Sequence, residues 1–405
     1  MAEPGDSDLR ANSQRAFELV CQILNPFPIA AHRPLPAGTK SDWAAVYEFA
    51  AFHGVRPALQ KAMPELSAAD PGAAELRERL AVFQRAHRFR VMQTTAQIVR
   101  LAQAFQSAGV RALFFKGAML GEQVYGGAQY REFNDVDILV SPTQRQRGEE
   151  VLKSLEFQPI VDDLRMRSAF FDYLRQHDFR HAESQTTVDF HWGFVGTGPF
   201  PILAENALAS CVSVKLAGVD IPVPGVESLA LILAGHGHKE NWASFGWILD
   251  FATFASLHPA LDWGNIMKAA RAQSCLDPVL GATLLVERLF GFTIDKAIAE
   301  LATRRPSIDR TVERIIASIG SLAERELGDE LLGGFRLCET PVQRARVALS
   351  LLTTRTIGDF EAMPLPARWW WIYRVTRPVR LTMQRLLRRV PRRSDFWKQK
   401  KDARR

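Results

Sequence analysis

The chain predicts an α+β fold in which a small mixed β-sheet core is flanked by N-terminal and C-terminal helical regions. Three observations carry this reading. Apolar residues recur at helical spacing in the first hundred residues, as in Ala45, Val46, Phe49 and Ala50. Between about 110 and 225 that period gives way to short apolar runs broken by turn residues, the mark of strands mixed with helices. From Glu227 the helical period returns and holds to about Thr354.

Residues 1–14 are polar and are expected to be disordered, so the N-terminal helical lobe is placed at 15–109. Ser41-Asp42 offers an N-cap to its first strongly periodic helix, and Gly109 offers a stop to the long one through Leu76–Phe105. In the core, 110–225, Arg111–Phe115 reads as a strand, Ala118–Val124 as a helix, Asp135–Val140 as a second strand and Gln144–Leu155 as a helix. Phe179–Ala182 and Thr187–His191 read as a further strand pair. Val212–Leu216 and Ile221–Val223 form a hairpin around residues 217–220. A C-terminal helical region, 226–362, opens with Ser228–His238, Phe245–Leu257 and Trp263–Arg271. Pro364 and Pro366 then introduce a basic, Trp-rich terminal segment, 363–405.

At 405 residues the chain has room for two or three packed units, and 47% hydrophobic with 23% charged residues is ordinary for a globular protein. The longest apolar runs, such as Leu229–Ala234, are far too short to span a bilayer. The first twenty residues hold Glu3, Asp6, Asp8 and Arg10 and lack the apolar centre of a signal peptide. Cys21, Cys211, Cys275 and Cys338 stand far apart, as expected of reduced thiols in a cytoplasmic protein and unlike a zinc motif. The net charge of +7 is unevenly spread. From Arg368 to Arg405 fourteen Lys/Arg face two Asp/Glu, a local +12, so the remainder carries about −5. Some affinity for polyanions follows for the tail from charge alone.

The chemistry concentrates in residues 114–140, FFKGAMLGEQVYGGAQYREFNDVDILV. Strand side chains alternate, so Asp135 and Asp137 share one face, and Ile138-Leu139-Val140 would anchor them in a buried sheet. Two carboxylates held that way suit a divalent cation, most naturally Mg²⁺. Thr187-Val188-Asp189-Phe190-His191 alternates in the same manner, with Val188 and Phe190 turned to the core and Asp189 and His191 sharing the other face. Three aspartates from neighbouring strands can hold two Mg²⁺ ions, one at the attacking hydroxyl and one at the leaving phosphates. Gly117 lets backbone amides approach a triphosphate, and Lys116 can balance phosphate charge. Arg131 would grip phosphate, orient Asp137, or sit in an exposed loop. His191 would relay a proton, support a ligand, or pack as a structural histidine. His177 and His181 have a zinc-like spacing, but their segment reads as extended, and four residues of strand span about 13 Å, too far for one ion. There is no phosphate-loop motif, no Gly-x-Ser-x-Gly elbow and no dinucleotide fingerprint.

Strand, Lys-Gly, helix, Asp-x-Asp on the next strand and a later single Asp on a strand resemble the nucleotidyltransferase fold of the DNA polymerase β superfamily. More narrowly, Lys116-Gly117, Arg131, Asp135-Val136-Asp137 and Asp189-Phe190-His191-Trp192 resemble the bacterial uncharacterised nucleotidyltransferase family. The likeness continues through His236, Trp242, Trp247 and Asp250 to Asp359, Leu365-Pro366, Tyr373 and Arg377-Pro378, about residues 40–385 in all. Gly117-Ala118 replaces the superfamily's usual Gly-Ser, removing one phosphate-facing hydroxyl. The resemblance implies Asp135, Asp137 and Asp189 as catalytic metal ligands. It implies Lys116, Gly117, Arg131, His191 and His236 as nucleotide contacts, with Asp250 read as structural.

The function implied is Mg²⁺-dependent transfer of a nucleotidyl group from a nucleoside triphosphate to a hydroxyl-bearing acceptor. Kinase-type phosphoryl transfer at the same metal site is the nearest alternative. A non-catalytic nucleotide- or RNA-binding, antitoxin-like module using the basic tail is the alternative from another class. Trp369-Trp370-Trp371 with Arg374, Arg377 and Arg380 could stack on nucleic acid or meet a membrane interface, but is expected to pack on the body of the protein.

Overall fold

A computed structural model of the chain describes residues 4–27, 40–69, 73–160, 175–194, 204–320, 340–355 and 357–386. It shows an α+β architecture with a five-stranded mixed sheet set among helices. Helix α1 (Pro4–Ile23) begins well ahead of Arg15, so residues 4–14, expected to be disordered, are its first turns. Helix α2 (Lys40–His53) starts at Lys40, which puts Asp42 in the first turn rather than at the cap. Helices α3 (Arg56–Ala69) and α4 (Ala74–Ser107) follow, and Gly109 ends the latter with φ near +65°, as a glycine stop should.

The sheet comes next. Strand β1 (Ala112–Phe115) leads through the short α5 (Gly117–Leu120) to β2 (Asp135–Val140), the span read from the sequence. Helix α6 (Arg145–Ser154) precedes β3 (Phe157–Pro159), which the sequence reading did not find because only three residues pair. Strand β4 (Gln176–His181) starts three residues before its expected position, and β5 (Thr187–His191) sits as expected. The order is β1-β2-β5-β4-β3, with β2 and β5 parallel and the other neighbours antiparallel. After helix α7 (Ala204–Ala209), β6 (Cys211–Leu216) and β7 (Val219–Pro224) form the hairpin. Its turn is the two residues Ala217 and Gly218, both at positive φ, which suits the twist of a tight hairpin better than a longer loop.

Alternation gives the sheet two faces of different character. Phe114, Val136, Ile138, Val140, Val188, Phe190 and Phe179 point to one side and bury themselves with Ile98, Leu101 and Phe105 of α4 and Val151 and Leu152 of α6. Leu113, Phe115 and Leu139 point to the other, beneath Ala204, Ala207 and Leu208 of α7. The polar side chains that share this second face with them build the site described below.

The helices that follow the hairpin are α8 (Val226–Lys239), α9 (Phe245–Leu257), α10 (Trp263–Ala272), α11 (Leu276–Phe290), α12 (Lys296–Thr303) and α13 (Pro306–Ile319). They do not form a region apart from the N-terminal helices. One apolar core joins Phe17, Trp43, Phe49 and Leu80 to Phe245, Phe251, Leu280 and Ile315. Polar ties cross the same seam. Asn25 Nδ2 donates to the Phe290 carbonyl at 3.1 Å, and the His53 ring bridges the Ile319 carbonyl at 3.2 Å and the Phe245 amide at 3.1 Å. Cys21, Cys211 and Cys275 form no disulfide, and no helix among the described residues is long and apolar enough to cross a membrane.

Two deeply buried histidines make stability depend on acid. Burial lowers His238 to about 3 and His87 to about 4, so both stay neutral in the folded chain where the unfolded chain would protonate them. Protons then bind more tightly to the unfolded state, so stability is full above about pH 6.5 and is lost as pH falls through the window down to those values. Each histidine should remove about 1.4 kcal/mol per pH unit in that window. Urea midpoints measured from pH 7 to 5 should fall steadily, and His238→Gln should flatten the slope. A slope that His238→Gln leaves unchanged would show that other groups set it.

Candidate functional site

The site is laid out by strand register. In the cross-strand pairing, Asp135 of β2 stands beside Thr187 of β5, which stands beside Arg180 of β4. One step along, Asp137, Asp189 and Asp178 are neighbours, and then Leu139, His191 and Gln176. Paired residues point to the same face, so these nine form a grid on the face opposite α4. Sequence alternation predicted that Asp135 and Asp137 share a face and that Asp189 and His191 do too. Pairing of the strands brings the two sets together.

Asp137, Asp189 and His191 are buried, and each offers a ligand atom within 4.8 Å of the others. His191 Nε2 lies 3.3 Å from Asp137 Oδ1, and Lys116 Nζ lies 3.4 Å from the same oxygen. The expected trio of aspartates is thus replaced at closest range by two aspartates and a histidine. Asp135 shares their face but lies outside the group at the partly exposed start of β2. Residues two apart on a strand are about 6.6 Å apart, whereas directly paired residues on adjacent strands are closer, so Asp189 reaches Asp137 more readily than Asp135 does.

Burial raises the Asp137 carboxyl, but the Lys116 charge and the His191 hydrogen bond outweigh it and hold the acid below the usual carboxylate range. Asp137 is therefore ionised at neutral pH, in the form that could take a cation. On the other flank, Gln176 Nε2 donates to Asp189 Oδ2 at 2.8 Å and to Asp178 Oδ1 at 2.7 Å, fixing two more carboxylates. Asp178 and Gln176 escaped the sequence reading because it started β4 at Phe179. The alternation Gln176-x-Asp178-x-Arg180 was there to be found.

The turn between β1 and α5 is strained where it meets the site. Lys116 takes φ 55° and ψ −154°, a region nearly confined to glycine, and Gly117 follows at φ 46°. A Cβ on Gly117 would lie 2.9 Å from the Asp135 carbonyl oxygen, so this glycine is required by conformation and by space. Arg131 sits behind the turn. Its Nε and Nη2 donate to the two Asp250 oxygens at 3.0 and 2.9 Å, its Nη1 reaches the Gly117 carbonyl at 3.4 Å, and Tyr125 Oη donates to Asp250 at 2.9 Å. Burial opposes the Arg131 charge and Asp250 more than restores it, so the guanidinium is held firmly charged. Asp250, read from sequence as structural, is the counter-ion of Arg131. On α8, His236 meets Trp247 edge-on at 5.0 Å. Burial first, then the charges of Lys116, Lys239 and Arg131, keep it neutral.

His177 and His181 lie on β4 two places to either side of Phe179, in the alternation that buries Phe179. They therefore face the core away from Asp189 and His191, with His177 against Phe179 and His181 against Phe157. Among the described residues neither belongs to a group able to hold a metal.

Comparison with known proteins supplies the remaining observation. Residues 39–291 match the family described as "Uncharacterised nucleotidyltransferase". The chain belongs to that family. The match spans the grid, the Lys116-Gly117 turn, Arg131 and Asp250, so the site lies within the portion that defines a nucleotidyltransferase of this kind. Two solved structures show limited similarity. The antibiotic-resistance factor ANT(2'')-Ia is 11% identical with a TM-score of 0.32, over 45% of this chain and 91% of that one. An antigenic nucleotidyltransferase-like protein from Paracoccidioides brasiliensis is 13% identical with a TM-score of 0.29, over 54% and 91%. Overlap this slight bears on neither fold nor chemistry. No curated protein matches the chain.

Proposed function

We propose that this nucleotidyltransferase moves a nucleotidyl group from a nucleoside triphosphate to a hydroxyl of its acceptor at the Asp137–Asp189–His191 cluster. One observation carries the reading: strand register pairs Asp137 with Asp189, and family membership covers both. The donor set suits a divalent cation. Two carboxylates favour Mg²⁺, and the imidazole widens the choice toward Mn²⁺. Asp137, Asp189 and His191 would hold it, with Asp135 beside them on the same face. When bound, the metal would polarise phosphate oxygens and lower the pKa of a coordinated hydroxyl.

The chain's own residues do the rest. Lys116, held rigid by its turn, directs positive charge at the position where phosphates would lie. Gly117 presents backbone without a side chain in the way, and Arg131 braces that turn from behind through Asp250. Arg180, at the edge of the same face, keeps Nε and Nη2 buried and without a hydrogen-bond partner, which makes it a further phosphate-facing cation. Asp189, hydrogen-bonded by Gln176, would receive the acceptor's proton. His236, kept neutral by burial and by the nearby charges of Lys116, Lys239 and Arg131, would contact the nucleotide beside Trp247.

Incubation with each triphosphate, Mg²⁺ and a small-molecule extract tests the proposal. An acceptor should gain a nucleotide mass, with stoichiometric pyrophosphate. A diphosphate product and an acceptor heavier by one phosphoryl group would overturn it in favour of a kinase.

A further inference from the structure

The terminal helices carry an amphipathic face turned the wrong way for a water-facing surface. They are α14 (Pro341–Thr353), α15 (Ile357–Ala362), a 3₁₀ turn at Ala367–Ile372, and α16 (Tyr373–Leu386). On α16 two arginines face inward, while Arg374 is exposed. Arg377 is 7% exposed and donates Nη1 to Asp359 Oδ2 at 2.7 Å, while Arg380 Nε donates to Asp359 Oδ1 at 2.8 Å. Tyr373 is buried beside them against Phe360, and its hydroxyl accepts from the Leu365 amide. The apolar side faces out: Trp371 is 63% exposed, Val375 64%, Val379 58% and Met383 56%. Spaced four residues apart, they line one side of the helix. Val342, Leu349 and Leu352 of the adjacent α14 are exposed as well.

A row of bare aliphatic side chains over a buried arginine–aspartate pair needs something to cover it. We infer that this face docks on an anionic lipid bilayer. Charge complementarity selects the occupant. The chain continues directly from the end of the stripe into residues 387–405, which hold nine Lys/Arg, two Asp/Glu, Phe396 and Trp397. A shallow apolar face combined with a polybasic stretch is the pair of signals that holds a protein on an anionic surface, where either alone is weak. Exposed Trp369 and Trp371 have the amphipathic rings that favour the headgroup level. A second copy is disfavoured because it would bring two segments of local charge +12 together. Single-stranded nucleic acid reads aromatic platforms, and three of the four stripe residues are aliphatic.

The inference is independent of the reaction assigned to the sheet. Full-length protein should co-sediment with phosphatidylcholine vesicles containing phosphatidylserine at least about tenfold more tightly than with phosphatidylcholine alone, and lose that preference near 0.5 M salt. Val375→Gln/Val379→Gln, both at exposed positions, should weaken vesicle binding about tenfold with unchanged thermal melting. Four results would overturn the inference, the first three of them concerning vesicles and assembly. These are equal weak binding to both vesicles, variant binding as tight as the parent's (the tail acting alone), or light scattering that shows a dimer dissociated by the variant. Binding of RNA in place of vesicles would do the same.

Discussion

Asp137→Asn should cut turnover about a thousandfold and remove high-affinity binding of a divalent cation while leaving the fold intact. The substitution keeps the shape of the side chain and deletes only its charge. That charge lies at the centre of the cluster, within 3.3 Å of His191 and 3.4 Å of Lys116, and is stabilised as an anion by both. Metal-held charge stabilisation contributes several kcal/mol to reactions of this kind, and each 1.4 kcal/mol is a factor of ten. Pyrophosphate release should therefore fall by about three orders of magnitude. The acceptor need not be known to see the first consequence. Titration of Mn²⁺ followed by electron paramagnetic resonance should show a site in the parent protein that the variant lacks. Equal Mn²⁺ affinity in the two proteins would remove Asp137 from the metal site.

Asp250→Ala should cost about 3–5 kcal/mol of folding stability, a large share of what a typical protein has. Asp250 is almost wholly buried and answers both Arg131 and Tyr125. Its removal strands a guanidinium that is only 13% exposed, and such largely uncompensated burial is the expensive part of breaking a buried pair. Arg131→Met/Asp250→Leu should recover much of the loss because neither charge is then left alone. The damage should also reach the site, since Arg131 holds the Gly117 carbonyl. Urea unfolding of the parent and the two variants checks this. A single variant no less stable than the double one would show that the pair is not the support described.

How far the site was legible in the sequence follows from the range of the forces involved. Strand β2 was read to the residue because aliphatic Ile138-Leu139-Val140 behind two aspartates can satisfy alternation in only one way. The special backbone at Lys116-Gly117 was likewise marked by its glycine. Asp178 was missed because the start of β4 is polar, and polar residues signal a strand only when a partner strand is known to lie beside them. The sequence placed Arg131 near phosphate or Asp137, and the structure pairs it with Asp250, 119 residues further along. No local pattern records such a contact. The inward arginines of α16 illustrate the same limit, since spacing alone shows that a helix has two sides and not which one the protein covers.

The chain by itself determined its periods, its turns and which carboxylates share a strand face, because these depend on chirality and on neighbours within a few residues. The tertiary structure alone decided the company those groups keep. It set Asp189 beside Asp137, merged two distant helical regions into one core and exposed the aliphatic side of the last helix. The physical reason is that burial and ion pairing act through space, and strand register and helix packing choose which residues, far apart along the chain, come within their few ångströms of reach.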